Sequence, residues 1–118
     1  KVIDDYTSSD YASLASFGIA EEEMRAMAFD EARRRFDNFA IVYSEHTLVP
    51  KAKKRSSDAA FHSGEAAYKK GDTVTAIARF QTFKTDFPND RRVRKVDQYL
   101  QELSGKSTTA ATNADAGS

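Results

Sequence analysis

A chain of 118 residues, 40% of them apolar, can bury one modest core but is short enough to be marginal without help. Basic and acidic side chains balance at 18 each, so no overall field selects a nucleic acid or an anionic surface. There is no Cys, which excludes disulfides, thiolate metal sites and cysteine nucleophiles, and no stretch approaches the roughly 18 apolar residues of a membrane span.

The pattern in chain order is helical, with no sustained alternation of period two. Ser8, Ser9 or Asp10 can cap a short helix carrying Tyr11, Leu14, Ala15 and Phe17 and closed by Gly18. From about residue 20 to 44, Met24, Ala28, Ala32, Phe36, Phe39 and Tyr43 recur at three- and four-residue steps, the buried stripe of a long helix. Glu21, Glu22 and Glu23 suit the positive end of its dipole.

Thr47 is the expected cap of the next helix, with Pro50 tolerated in the first turn. That helix should run to about Lys70 and bury Ala52, either Ala59 or Ala60, Gly64 and Ala67. Gly71 then reads as a left-handed terminator and Asp72 as the cap of a helix burying Ala76, Ile77, Phe80, Phe83 and Phe87. Pro88 stops it. Asn89 or Asp90 caps a last helix, with Val93, Val96, Leu100 and Leu103 inward and Gly105 at its end. The expected fold class is all-α, four to five antiparallel helices. The expected organisation is an N-terminal extension over 1–13, a helical domain over 14–104 and a disordered tail over 105–118, which holds no large apolar residue. Lys1 stands where an initiator Met would, which suggests a processed or excised chain, and no signal peptide is visible.

Two segments carry one pattern. Ala32, Phe36, Phe39 and Tyr43 reappear as Ala76, Phe80, Phe83 and Phe87, each 44 residues on. Internal periods of about 20 to 50 residues signal helical arrays.

With the pairs placed, the sequence resembles a tetratricopeptide repeat. Gly64 stands at the small contact position of that family's first helix, Ala76 and Phe80 at the small and large positions of the second, and Pro88 at the closing Pro. The connector KKGDTVTA (69–76) is similar to the family's turn. The first unit departs: Ser44 stands where Pro would be, and Ala20 takes the small position. No turn residue separates Glu21 from Ala32, which leaves open one continuous helix or a pair. Phe39 and Phe83 replace the usual Ala. The family's period is about 34 residues, and the excess here falls to extra turns between Leu48 and Lys70. Similar long-helix variants occur in bacterial envelope proteins, of the outer-membrane assembly lipoprotein and Tol-Pal partner types. The resemblance to that branch implies a periplasmic or cell-envelope location, with the cytoplasm as the alternative.

In such repeats the first helix of each pair lines a peptide-binding surface. Projected from Gly64, that surface would hold Asp58, Phe61, Glu65, Tyr68 and Lys69, with Phe61 and Tyr68 as apolar anchors. The competing reading packs both aromatics against the neighbouring helix pair. Two repeat-like pairs are fewer than the roughly three of a free-standing array, which predicts a covered outer face. Homo-oligomerisation through Tyr11, Leu14 and Phe17 is the specific expectation.

Charge is unevenly placed. Residues 1–50 hold five basic and ten acidic side chains, and residues 51–106 hold thirteen and seven. Basic clusters at Lys51, Lys53, Lys54 and Arg55 and at Arg91, Arg92, Arg94 and Lys95 offer phosphate contacts. Neither is interleaved with aromatics, so solvated helix ends are the simpler reading. His46 and His62 have no metal-ligand neighbours at useful spacing. No phosphate loop, nucleophile elbow or zinc signature occurs. The expectation is a non-catalytic protein–protein interaction module without a cofactor or metal, taking a protein or peptide partner. The alternative is a small helical nucleic-acid-binding or regulatory domain.

Overall fold

The structure is a computed structural model that describes the backbone of residues 8–117 and the side chains of residues 10–105. Among the described residues there are five α-helices and no strand: α1 (Ser8–Arg25), α2 (Phe29–Val42), α3 (Val49–Lys70), α4 (Thr73–Asp86) and α5 (Val93–Gly117). The chain divides into two compact units, Lys1–Ala59 and Ala60–Ser118, the boundary falling inside α3. No helix among the described residues is long and apolar enough to cross a membrane.

In the first unit α1 and α2 form an antiparallel pair. Ala20, Ala32, Phe36 and Phe39 have no exposed surface, and Phe17 meets Phe36 and Phe39 edge-on at 5.4 and 5.5 Å between ring centroids. Such T-shaped pairs put a ring's positive edge on its neighbour's negative face, which favours this arrangement over a flat sandwich. Ala52 and Ala59 from the first half of α3 complete this core.

The second unit repeats these contacts with residues from the rest of α3, α4 and α5. Phe61 lies 6.3 Å from Phe80 and 5.7 Å from Phe83, and Val96 and Leu103 of α5 close the core. A Cβ built on Gly64 would lie 2.6 Å from Cδ1 of Phe80, so only glycine lets that ring seat against α3. Phe80 is fully buried and has nowhere to move.

The correspondence at 44 residues reaches the turns. Met27 and Gly71 both carry positive φ, 64° and 79°. Around Met27 the amide of Ala28 donates to the Glu23 carbonyl and that of Met27 to the Met24 carbonyl. Around Gly71 the amide of Asp72 donates to the Ala67 carbonyl and that of Gly71 to the Tyr68 carbonyl. Both are Schellman terminations. The connections that follow also match. His46 Nδ1 accepts the Leu48 amide at 3.0 Å, and Asp90 Oδ1 accepts the Arg92 amide at 2.8 Å.

Four expectations change. The helix expected from about 20 to 44 is two helices, because the backbone bonds at 26–28 hold Met27 in the left-handed region without a glycine. Gly18 does not end a helix: a Cβ there would meet nothing within 4 Å, and α1 runs through it to Arg25. The extension placed at 1–13 is helical from Ser8, with Ser13 buried; residues 1–7 lie outside the described residues. Gly105 does not end α5, whose helical backbone continues to Gly117. Its Ala and Thr residues continue a helix already nucleated by the packed turns before it.

Gly64→Ala should destabilise the protein by about 1–3 kcal/mol, as overpacking outweighs the helix-propensity gain. Gly18→Ala, made in open space, should stabilise it by about 0.5–1 kcal/mol. Urea denaturation of both variants checks the opposite signs. The α2 cap residue Ala28 makes no side-chain bond, whereas Asp72 accepts the Thr75 amide at 3.2 Å. Transplanting the second turn into the first, Met27→Gly with Ala28→Asp, should therefore add about 1 kcal/mol per substitution.

Candidate partner-binding site

The five residues projected onto the binding surface divide between the units, Asp58 in the first and Phe61, Glu65, Tyr68 and Lys69 in the second. Asp58 is mostly buried beside Arg55, 3.6 Å away, and the same guanidinium has its Nε 3.2 Å from Glu21 Oε1 on α1. Asp37 of α2 also reaches α3, accepting a hydrogen bond from the Ser56 hydroxyl. Asp58 thus belongs to a cation–carboxylate cluster that holds α3 to α1.

Phe61 is 5% exposed and belongs to the core. Its expected role as an exposed anchor is corrected: the projection from Gly64 ignores that α5 also packs on α3. Arg92 lies over the Phe61 ring at 5.3 Å and Lys95 at 6.0 Å, closing the remaining face with cation–π contacts.

Glu65 and Tyr68 lie where α3 meets α5, within a polar network. The Tyr99 hydroxyl donates to Glu65 Oε2 at 2.9 Å, and the Tyr68 hydroxyl donates to Glu102 Oε2 at 2.6 Å. Both pairs span 34 residues, one step along two helices running in the same direction. The two tyrosine rings lie 4.7 Å apart, and Tyr99 stacks on Phe80 at 4.7 Å and 6°. Lys95 and His62 stand 3.7 and 3.3 Å from the Glu65 carboxylate. Burial, with the hydrogen bond to Glu65 second, pushes the Tyr99 phenol up to about 12. The hydrogen bond to Glu102 raises that of Tyr68. Lys69 is exposed beside this network.

Of the residues expected at an oligomer interface, Tyr11 and Leu14 are exposed and Phe17 is not, because it fills the space between α1 and α2. Several cations of the basic clusters are engaged inside their own units. Lys51 sits 5.9 Å over Phe17, Arg55 faces Glu21, Arg92 pairs with Asp90 at 2.9 Å, and Lys95 faces Glu65. The Arg92 hydrogen bonds lower the Asp90 carboxyl below its usual range, which settles two cations at the start of α5. Lys53, Lys54, Arg91 and Arg94 are exposed.

Tyr99 and Glu102 escape a reading confined to one helix, since only the 34-residue step to Glu65 and Tyr68 links them. His46 acts as a cap, a role its loop position hides. No group of three or more His, Asp or Glu among the described residues could hold a metal ion. Comparison with protein-family models, curated proteins and solved structures finds no match to this chain.

The raised Tyr99 phenol sets a pH dependence. Its protonated form is favoured in the folded state, so its contribution is complete below the ordinary value of 10 and is lost as pH rises toward about 12. Chemical denaturation from pH 9 to 12 should show stability falling more steeply in the parent than in Tyr99→Phe. At pH 7 that variant should cost about 0.5–1.5 kcal/mol for the lost hydrogen bond.

Proposed function

We propose that this chain is a non-catalytic protein–protein interaction scaffold, a short array of tetratricopeptide-like helix pairs that works in a bacterial cell-envelope assembly. The observation that carries the reading is the 44-residue register. It joins Met27 to Gly71, His46 to Asp90 and the Phe17–Phe36 contact to the Phe61–Phe80 contact. Two helix pairs with like core contacts and different outward residues suit a repeat scaffold, whose stacked units present an extended binding surface. The 22-residue α3 against the 14-residue α4 accounts for a period longer than the family's about 34.

The contact surface assigned to a peptide or protein partner is the exposed rim of α3 and α5 in the second unit, with Tyr68, Lys69 and the Glu65 network beneath it. The nucleic-acid reading is weaker, because Lys51, Arg55, Arg92 and Lys95 are committed to internal carboxylates and rings.

The test uses the whole chain as bait against cytosolic, periplasmic and membrane fractions at low and high salt, beside a Tyr68→Ala, Lys69→Glu double variant. The expected result is an envelope protein retained at high salt and lost in the variant. Salt-labile nucleic acid with no protein partner would contradict the proposal.

A further inference from the structure

The start of α3 is fastened through an imidazole, the one side chain that ordinarily changes charge between about pH 5 and 8. His46 Nδ1 accepts the Leu48 amide at 3.0 Å, the His46 carbonyl accepts the Val49 amide, and the Leu48 carbonyl accepts that of Ala52. An amide proton aimed at Nδ1 fixes the state of the ring: Nδ1 presents its lone pair, Nε2 carries the proton, and the imidazole is neutral. The ring also meets the fully buried Phe39 edge-on at 5.4 Å between centroids, which holds it in this orientation. Leu48 and Val49 pack on the core of the first unit, so the bond sets the first turn of α3 on the α1–α2 pair.

The second unit makes the same connection with a different acceptor. Forty-four residues on, Asp90 Oδ1 accepts the Arg92 amide at 2.8 Å, and the Asp90 carbonyl accepts that of Val93. The hydrogen bond from the Arg92 side chain holds the Asp90 carboxyl below its usual range, so this acceptor persists wherever an ordinary carboxylate is ionised. Nδ1 has a single lone pair. Protonation turns it into a donor facing a donor, and the Leu48 amide loses its partner.

The charges around His46 oppose one another. Asp10 of α1 and Glu45 of the connection line one open cleft with His46 and Tyr43, and both favour an imidazolium. The N-terminus of α3 disfavours one, since no acid stands in its first turn and Lys51 does. The direct contact decides: the bond at 3.0 Å is lost outright on protonation, whereas charges acting across an open cleft are screened.

We infer that His46 is an acid-sensitive latch. Below neutral pH its Nδ1 takes up a proton, releases the Leu48 amide and loosens the first turn of α3 from the α1–α2 pair, while the Asp90 connection stays closed. The stability it contributes is complete where the imidazole is neutral and is lost as pH falls.

The test follows amide exchange in the full chain from pH 8 to 5, as protection relative to the intrinsic rate at each pH. The ring resonances of His46 record its proton. Protection at Leu48 and Ala52 should fall by about three- to tenfold as the ring charges, the loss of one hydrogen bond, with Arg92 and Val96 unchanged. His46→Asp, which gives the first unit the acceptor of the second, should keep Leu48 protection level over this range, and so should His46→Asn. His62, the other histidine, is present in every variant and cannot account for a difference between them. A ring that charges while Leu48 stays protected overturns the inference, as does a ring still neutral at pH 5 or a Leu48 amide unprotected at pH 8. A fall shared by Leu48 and Arg92 in both the parent and His46→Asp would be acid unfolding of the whole chain, which also overturns it.

Discussion

The seat of Phe80 on Gly64 is the contact on which the second unit depends. A fully buried ring lies where any side chain on α3 would have to be, and the ring then stacks on Tyr99 of α5. One close approach thus aligns three helices. The first unit meets the same demand less severely, with Ala20 at the glycine position and Phe36 buried at the ring position. Small residue and large ring are complementary choices, because interiors packed at crystal-like density leave no slack for changing one alone.

Around that contact the two units solve the same local problems with different chemistry. A left-handed residue ends the first helix in each, Met27 at some steric cost and Gly71 at none. At the next cap position a side chain accepts a hydrogen bond from a backbone amide in each, an imidazole in one and a carboxylate in the other. A glutamate on the first helix meets an arginine in one and a tyrosine in the other. Backbone geometry is kept while side-chain identity drifts. The charges that look like surface clusters are therefore partly fastenings: Arg35 ties α2 to α1 through Glu23 at 2.9 and 3.1 Å, and its hydrogen bond lowers the Glu23 carboxyl. That contribution is present at neutral pH and is lost as the solution is acidified through the lowered value.

How much was legible followed from where each signal is written. The apolar stripes of α2, α4 and α5, the Gly71–Asp72 turn and the stop before Pro88 are local patterns, and the structure has them. The turn at Met27 was not legible, because backbone hydrogen bonds alone hold it and no Gly, Asn or Asp marks it. The burial of Phe61 was not legible from one helix, since α5 and two cations arrive from 31 to 42 residues on to cover it. The exposure along α1 was half legible: Tyr11 and Leu14 were singled out and are exposed, but Phe17 was grouped with them although it is buried between α1 and α2.

The central claim is that two helix pairs in one register are built alike, and ring-to-ring contacts in solution test it most directly. A NOESY spectrum with selectively labelled phenylalanine should show Phe17–Phe36 and Phe61–Phe80 cross-peaks together, with Gly64 α-protons shifted upfield by the Phe80 ring. Finding only one of the two ring pairs, or an unshifted Gly64, would contradict the account.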